Sequence, residues 1–347
     1  MTYPLPVRGI WHYLPLRVIP LRVPLRVKKF DPESDAKPHW RDYAVEAPRG
    51  MTLLSALLKI KSEVDGTLTF RASCRAAICG SCLMQVNGIQ KLACKVSLRD
   101  EMARHGRIEV APAANLPVIR DLVVAMTPFW GKIRAITPYV VSDLPPAAFP
   151  TPTAATPPAA PVTLSGLHEQ LHNADGCIMC GACFSACQSA EVSPDFLGPA
   201  ALAKAYRFQA DPRDTTHHER LVALQGAGGI WDCVRCNFCV SVCPKEVAPM
   251  EQIIRLRRLS ISAGLTTSIG ARHVTQFVEV VAEEGRLNET QLPLRMIWGD
   301  WRAMLRLLPM AWGLLRHGKM PRPFHRWPGR DEIRSIFCRT PKRTMPE

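Results

Sequence analysis

Several features are scarce in this chain of 347 residues, and each scarcity excludes a class of protein. No run of 18 uncharged apolar residues occurs, so no segment is expected to span a membrane alone. The nearest candidate, Met296–Leu315, is interrupted by Asp300, Arg302 and Arg306. No G-x-G-x-x-G fingerprint follows a predicted strand, which argues against dinucleotide binding by this chain. Aromatic residues make up 7% and are not interleaved with basic ones, so nucleic acid is not an expected partner.

Acidic residues are also few, with 30 Asp and Glu against 44 Lys and Arg and a formal net charge of +14. Such an excess predicts an acidic partner, either anionic lipid headgroups or an acidic protein surface. The opening stretch "MTYPLPVRGIWHYLPLRVIP" lacks the basic n-region, the continuous apolar run and the cleavage site of a signal peptide. We therefore expect the protein to face the cytosol.

The first half of the chain divides into an arm and a mixed domain. Residues 1–24 are expected to be a Pro- and Arg-rich arm, because proline at this density disfavours helix and central strand. The arm is expected to be loose or to lie upstream of the native start, and a basic arm that rests on a partner or on lipid is the alternative. The pattern of short strands around one helix in residues 25–125 predicts an α+β domain. Its strands are expected at "LRVKKF", "RDYAVEA", "TLTFRAS", "CLMQVNG" and "GRIEVAP", around one helix at "MTLLSALLKIKSEV" with Thr52 as its N-cap.

The second half is predicted to be helical. A connecting helix is predicted at "LPVIRDLVVAMTPFWGKI", residues 116–133. Residues 126–165 would hold the end of this helix and a linker of Pro, Ala and Thr that cannot form a core. Residues 166–260 are helical in pattern, and residues 261–347 form a helical C-terminal extension. The extension has two predicted apolar faces: Val274, Phe277, Val278 and Val281 on one, and Trp298, Trp301, Met304, Leu305, Leu308 and Trp312 on the other.

Cysteine is abundant, with 13 residues, of which twelve fall into three tight groups. Clustered thiols in a reducing compartment are typical of metal binding. The first group has C-x4-C-x2-C spacing followed by one distant cysteine, the plant-type [2Fe–2S] pattern. Structural zinc is the alternative, but it usually has two separated C-x2-C pairs. The predicted ligands are Cys74, Cys79, Cys82 and Cys94.

The second and third groups share the C-x2-C-x2-C-x3-C spacing of bacterial ferredoxins. In such pairs the fourth cysteine of each run binds the cluster of the other run. One [4Fe–4S] cluster would thus have the ligands Cys177, Cys180, Cys183 and Cys243. The other would have the ligands Cys187, Cys233 and Cys239, with Cys236 as a fourth ligand left open. A zinc-bound scaffold without electron transfer is the alternative. Cys338 is left over and is expected to be a small buried apolar group.

The order of these groups resembles that in the iron–sulfur subunits of succinate dehydrogenase and fumarate reductase. The resemblance extends from about Val23 to Leu259 and rests on "RVKKFDPESDAKPHW", "SCRAAICGSC", "KLACKVSLRDE", "GCIMCGAC" and "CPKEVAP". It implies a β-grasp [2Fe–2S] ferredoxin domain followed by an all-α two-cluster ferredoxin domain. It also implies a separate flavoprotein subunit with covalent FAD, where succinate and fumarate interconvert in the tricarboxylic acid cycle.

The same resemblance implies that this chain has no catalytic residue and carries electrons towards quinone, peripherally bound at the cytoplasmic face of the inner membrane. Members usually have an apolar residue where Cys236 stands, and their third cluster is [3Fe–4S]. Here a fourth thiolate predicts [4Fe–4S], with unligated Cys236 and [3Fe–4S] as the alternative. The added negative charge would lower the potential, which suits menaquinone or fumarate reduction. Gln188 replaces the usual proline, so the familiar quinone pocket is in doubt.

Residues 261–347 resemble tails of heterodisulfide-reductase-type subunits and of succinate dehydrogenases without the ordinary helical anchor. The resemblance implies either a membrane anchor or a cysteine-rich partner subunit, and it leaves a thiol- or heterodisulfide-linked reductase as an alternative function. The stretch 298–316 is also a candidate for the membrane interface. Arg255, Arg257 and Arg258 are expected on a solvated basic face, with lipid headgroups or a quinone site as alternatives.

Overall fold

The computed structural model describes residues 21–142, 171–298, 301–319 and 329–339. They belong to two compact units. The first unit runs to Phe129 and includes two later segments, Ile178–Ala186 and Val242–Lys245. The second unit contains Trp130–Cys177, Cys187–Ser241 and Glu246–Glu347.

A five-stranded sheet with the strand order β2-β1-β5-β3-β4 forms the frame of the first unit. β1 pairs with β2 in the antiparallel sense and with β5 in the parallel sense, while β3 is antiparallel to both β4 and β5. A hairpin of β6 and β7 stands apart. The strands are β1 (Leu21–Lys29), β2 (His39–Ala47), β3 (Leu83–Val86), β4 (Ile89–Leu92), β5 (Ile108–Ala111), β6 (Val118–Arg120) and β7 (Val123–Val124).

Helices make up most of the second unit, and helices also contact the sheet in the first. The helices of four or more residues in the described parts of the chain are α1 (Leu53–Glu63), α2 (Leu98–His105), α3 (Thr127–Arg134), α4 (Ala182–Ser185), α5 (Gln188–Val192), α6 (Gly198–Gln209), α7 (His217–Ala223), α8 (Phe238–Ser241), α9 (Pro249–Ser262), α10 (Ile269–Glu284), α11 (Gln291–Met296), α12 (Trp301–Arg316) and α13 (Arg330–Arg339).

The core of the first unit follows from alternation in β1 and helical spacing in α1. Val23, Leu25 and Val27 are buried on one face of β1, as a half-buried strand requires. The Thr52 hydroxyl accepts a hydrogen bond from Ser55 N–H and caps α1 as predicted. Four strands and this helix were predicted from sequence and are confirmed by the structure.

Two expectations for the first unit are wrong. The arm was expected to last to residue 24, but β1 begins at Leu21 and includes Pro24. Only β2 lies beside Pro24, because β5 pairs with Leu25–Val27, so a residue without an N–H is tolerated there. Residues 67–73 form no strand, since Thr69 N–H donates to the side chain of Asp121 and not to a neighbouring strand. Residues 1–20 and the linker at 143–162 lie outside the described residues.

The predicted connecting helix at 116–133 is mostly wrong. Its first part forms the β6–β7 hairpin, and only α3 is helical. Asp121 explains the difference: it has a positive φ of 46°, and its carboxylate accepts hydrogen bonds from the N–H groups of Phe30 and Thr69. A residue in this conformation interrupts a helix and favours a turn.

The second unit is built around α6 and α9. Phe196, Leu202, Ile253 and Leu256 are fully buried between the helices. A buried arginine, Arg220, fastens α7 to the chain that precedes the linker, because its guanidinium donates to Asp214 and to the carbonyls of Ile136, Thr137 and Tyr139.

The C-terminal extension contains α10 to α13, as its pattern predicts, but two details differ. In α10 the buried residues are Ala271 and Val280, whereas Phe277 and Val278 of the predicted face are exposed. Cys338, expected to be buried, is exposed on α13. None of the helices in the described residues is long and apolar enough to cross a membrane.

Candidate metal centres

The first cysteine group lies in a loop whose backbone turns its N–H groups towards sulfur. Arg75, Ala77 and Gly80 all have positive φ, between 55° and 72°. As a result, the N–H groups of Ala76, Ile78 and Cys79 lie 3.3–3.4 Å from Cys74 Sγ, and that of Ala77 lies 3.3 Å from Cys94 Sγ. Successive inward N–H groups form a concave site that stabilises negative charge on sulfur.

The thiols of this group influence one another, which shows that they lie together. A hydrogen bond from the Ser81 hydroxyl, with further hydrogen bonds at Cys74 and the Ser81 backbone, lowers the pKa of Cys79 to about 6. Burial, together with the nearby Cys94 and Cys79, raises the pKa of Cys82 to about 11. A site with one easily ionised thiol at an open loop and one buried thiol behind it fits a metal cluster bound at the protein surface.

Gly80 brings this loop against the second cysteine group. A β-carbon added at Gly80 would lie 2.6 Å from Cβ of Cys180, closer than real side chains approach. Both residues belong to the first unit. Glycine is therefore required at residue 80 for two reasons: its φ of 72° and the lack of space for a side chain.

The second and third groups share one local conformation. Each follows a single 3₁₀ turn, Ala174–Gly176 in one case and Ile230–Asp232 in the other, and its first cysteine is extended. In each run the second residue after the first cysteine has positive φ, and so does the residue after the second cysteine. These residues are Met179 and Gly181 in one run, and Arg235 and Asn237 in the other.

Contacts in the second unit join segments that flank the two cysteine runs. The Asn173 side chain, ahead of Cys177, donates to the carbonyl of Glu246, which follows Cys243. Leu197 N–H, beyond Cys187, donates to the carbonyl of Gly228, ahead of Cys233. The segment ahead of each run thus contacts the segment that follows the other run.

The third site assembles four cysteines in the second unit. Burial raises the pKa of Cys239 to about 12, and the neighbouring thiols of Cys233, Cys187 and Cys236 add to this shift. Burial is also the main cause that raises the pKa of Cys187, with contributions from Cys233 and Cys236. Cys236 therefore lies within electrostatic reach of the other three. Because thiols must ionise to bind metal, binding here would release protons.

Arg257 lies beside this site, contrary to the expectation of a solvated basic face. Its side chain is buried, with the residue 8% exposed. The guanidinium donates to the carbonyls of Ile230 and Cys233 at 2.7–2.9 Å and lies 5.1 Å from the ring centroid of Trp231. Burial lowers the pKa of Arg257, whereas Cys233 raises it. In the described part of the chain no carboxylate forms an ion pair with this arginine.

The C-terminal extension contacts the same segment through Gly270 of α10. A β-carbon at Gly270 would lie 2.7 Å from the Cβ and Cγ atoms of Trp231, so the helix packs directly on the indole. Sequence reasoning missed this contact and the inward position of Arg257. The only signal was the helical period of α9, which places Arg257 on the same side as the buried Ile253 and Ser260.

The thiols of the first group and the N–H donors around them fit the chemistry of an iron–sulfur cluster. Among the described residues no three His, Cys, Asp or Glu side chains are placed to hold a single metal ion. A single zinc ion would draw its thiolates to about 2.3 Å from one point. A cluster keeps its thiolates further apart, because iron and sulfide ions lie between them.

Comparison with known proteins agrees with this chemistry. Residues 24–131 match the model of a 2Fe-2S iron-sulfur cluster binding domain. Residues 173–247 match the model of a 4Fe-4S dicluster domain. A chain of the Mycobacterium smegmatis Sdh1 complex in the apo form has a similar fold, with a TM-score of 0.58 and 23% identity over 70% of this chain and 97% of that one.

Curated relatives are more similar in sequence. The fumarate reductase iron-sulfur subunit of Haemophilus influenzae is 40% identical over 231 residues, which cover 66% of this chain and 89% of the relative. That of Mycobacterium tuberculosis is 37% identical over 68% of this chain and 92% of the relative. The succinate dehydrogenase iron-sulfur subunit of Paracoccus denitrificans is 35% identical over 68% and 86%. The chain belongs to the family of succinate dehydrogenase and fumarate reductase iron–sulfur subunits.

Proposed function

We propose that this chain relays electrons, as the iron–sulfur subunit of a succinate dehydrogenase or fumarate reductase, between the FAD of a flavoprotein subunit and quinone or a membrane-associated partner. Iron–sulfur clusters supply one-electron transfer, and the chain itself binds them, keeps them close together and limits water. The observation that carries the proposal is the contact of Gly80 with Cys180, which places the loop of the first site against the loop of the second.

The ligand sets that we propose follow the cysteine groups. Cys74, Cys79, Cys82 and Cys94 would hold [2Fe–2S], and Cys177, Cys180, Cys183 and Cys243 would hold [4Fe–4S]. For the third site we propose [4Fe–4S] on Cys187, Cys233, Cys236 and Cys239. Support for Cys236 comes from its electrostatic contact with Cys187 and Cys239 and from the conformation that its run shares with the second group. Without Cys236 as a ligand the cluster would be [3Fe–4S].

The flavoprotein would meet the exposed loop of the first site. Arg75 and Ile78 are exposed on this loop, and Ile78 retains 62% of its accessible surface. A large apolar side chain next to a cationic one, beside a cluster site, suits docking of a partner. We propose that the complex faces the cytoplasm at the inner membrane, held either by a membrane anchor or by a cysteine-rich partner subunit.

The experiment is anaerobic co-expression with the flavoprotein subunit, followed by iron, acid-labile sulfide and zinc analysis. We expect iron and sulfide in the ratio of three clusters, and reduction of these clusters by succinate, followed by low-temperature EPR. Zinc without sulfide would support a scaffold that transfers no electrons and would overturn the relay. Clusters that succinate cannot reduce through the flavoprotein would contradict the assignment to this type of complex.

The C-terminal extension favours a second candidate function. About two thirds of this chain is aligned with the fumarate reductase subunits, and the match to the 4Fe-4S dicluster model ends at residue 247, ahead of the extension. A thiol- or heterodisulfide-linked fumarate reductase would use this extension to hold a cysteine-rich subunit. Oxidation of the reduced complex by a heterodisulfide and not by menaquinone would favour this candidate, and the reverse result would exclude it.

A further inference from the structure

Helix α12 presents a continuous row of large apolar side chains to solvent. With 3.6 residues per turn, six of them fall within an arc of about 100° on the helix. Each is between 43% and 68% exposed, and they are Trp301, Met304, Leu305, Leu308, Trp312 and Leu315. Single exposed apolar residues are ordinary, but an uninterrupted stripe of this length usually marks a binding surface.

The charge beside this stripe is of one sign. Arg302, Arg306 and Arg316 occupy an adjoining arc of about 80°, and Lys319 follows the helix. All four are exposed, and residues 301–319 contain no Asp or Glu. The Arg302 guanidinium lies 5.3 Å from the ring centroid of Trp301, so the basic edge directly borders the apolar one. The surface that complements this arrangement is apolar inside and anionic at its boundary.

A membrane surface meets that description better than a protein groove does. Tryptophan and arginine favour the depth of lipid headgroups, while leucine and methionine favour the acyl boundary beneath. α12 has 16 residues and Arg306 near its middle, and no described helix qualifies to cross a membrane. A helix of this kind lies in the plane of the interface.

We propose that α12 binds, apolar stripe inward, to a membrane surface that contains anionic phospholipid, and so attaches this subunit to the bilayer directly. The proposal goes beyond electron relay and does not depend on it, because attachment needs no cluster and no acceptor. It also accounts for part of the formal net charge of +14.

The test is flotation of the purified, cluster-containing complex with vesicles of phosphatidylglycerol and phosphatidylethanolamine, and with phosphatidylcholine vesicles for comparison. We expect binding to the anionic vesicles that weakens with salt. The double variant Trp301→Ser with Trp312→Ser should have an apparent affinity for the anionic vesicles that is at least tenfold weaker. The matched control is Val64→Ser with Ile119→Ser, two exposed apolar residues of the first unit, and it should bind as wild type does.

Charge is tested separately with Arg302→Gln, Arg306→Gln and Arg316→Gln together. We expect a loss of binding to anionic vesicles similar to that of the tryptophan pair. A second triple variant removes the same charge elsewhere, from exposed residues of the first unit, and should keep most of the binding; it combines Arg22→Gln, Arg49→Gln and Arg104→Gln.

Three results would overturn the proposal. They are the absence of wild-type flotation, equal losses in the two arginine triples, and an unaffected tryptophan pair. If the complex does not bind vesicles and its tryptophan emission is nevertheless shielded from quenching by acrylamide, a protein partner covers the stripe instead. Iron content and succinate reduction are measured on the same samples, so a failure of electron relay would be seen independently of a failure to bind vesicles.

Discussion

Cys236 determines the type of the third cluster, because a four-iron cluster needs four thiolate ligands and a three-iron cluster needs three. We predict that Cys236→Ala converts the third cluster to [3Fe–4S]. The oxidised protein should then gain the EPR signal of that cluster and lose about one iron per chain. The midpoint potential should rise, because the oxidised three-iron core is all-ferric and accepts an electron more readily than the four-iron core. The measurements are EPR of the anaerobically purified protein in its oxidised state, without exposure to air, and iron analysis.

Cys338→Ala is the matched control for this variant, because Cys338 is exposed on α13 and belongs to none of the three groups. It should leave the EPR spectra and the iron content unchanged. A [3Fe–4S] signal already present in the oxidised wild type would mean that Cys236 is not a ligand.

Arg257 places a fixed positive charge beside the third site. Its guanidinium contacts the carbonyl of Cys233 and is shielded from water, so its charge should favour the reduced cluster. We predict that Arg257→Gln lowers the potential of the third cluster by about 50–100 mV, as expected for loss of one charge roughly 10 Å away at an effective dielectric constant of about 20. Potentiometric titration followed by EPR measures this shift.

Two further variants separate charge from packing. Arg257→Lys keeps the charge and should restore most of the potential. Arg258→Gln removes an exposed charge from the next position of the same helix and should shift the potential little, because solvent screens it. A purely structural role for Arg257 is indicated if the lysine variant shows the same shift as the glutamine variant.

At the scale of elements, the loop of the first site can lie against the second cysteine group because Gly80 has no side chain. We predict that Gly80→Ala forces the two loops apart, because the new β-carbon would lie 2.6 Å from that of Cys180. Electron transfer between the first two sites should slow by at least tenfold. Rapid-freeze EPR after mixing with succinate would follow reduction of each cluster in turn.

Gly88→Ala supplies the control for the backbone. Gly88 has a φ of 81°, similar to that of Gly80, but a β-carbon there would meet no atom within 4 Å. It should cost about 1 kcal/mol of stability from the left-handed conformation alone and leave the transfer rate unchanged. If electron transfer slows equally in both variants, the cause is the backbone conformation, and the contact of Gly80 with Cys180 does not set the transfer rate.

The sequence predicts elements best where a single period dominates. α1, with its cap at Thr52, and the alternating β1 and β2 follow from local pattern. The β6–β7 hairpin does not, because it depends on Asp121 receiving hydrogen bonds from residues more than 50 positions away. In the candidate sites the spacing of cysteines predicts the ligand groups, whereas Arg257 and the contact of Gly80 come from tertiary packing that no local pattern encodes.

Considered as a whole, the molecule depends on buried carboxylates that are held ionised in both of its units. In the first, Asp65 is buried, which raises its pKa, but hydrogen bonds from Thr67, Tyr43 and Lys29 outweigh burial and hold the pKa below its usual range. In the second, Asp214 shows the same balance, with Arg220 as its main partner. The ion pair of Asp65 with Lys29 joins residues that are 36 positions apart. Asp214 and Arg220 are close in sequence, but both also form hydrogen bonds with the backbone at 136–141, ahead of the linker.

This arrangement predicts an acid-sensitive fold. A carboxylate with a lowered folded-state pKa stabilises the fold fully above its unfolded value of about 3.9, and this stabilisation is lost as the pH falls further towards the folded value. We predict that Asp214→Asn lowers the free energy of unfolding at pH 7 by about 3–5 kcal/mol, because Arg220 would remain buried without its counter-charge. The difference from wild type should be constant down to pH 5 and shrink below about pH 4, where Asp214 takes up a proton in the unfolded chain while it stays ionised in the fold.

Urea unfolding followed by circular dichroism at a series of pH values measures this difference. Glu63→Gln is the matched control, because Glu63 is an exposed partner in a surface ion pair with Lys59 at 3.9 Å, and its loss should change stability by less than about 0.5 kcal/mol at every pH. Since the second unit also holds the third cysteine site, the visible absorbance of the clusters should be lost at a lower urea concentration in Asp214→Asn than in wild type. A stability difference that stays the same from pH 7 to pH 3 would show that the charge of Asp214 does not hold this unit together.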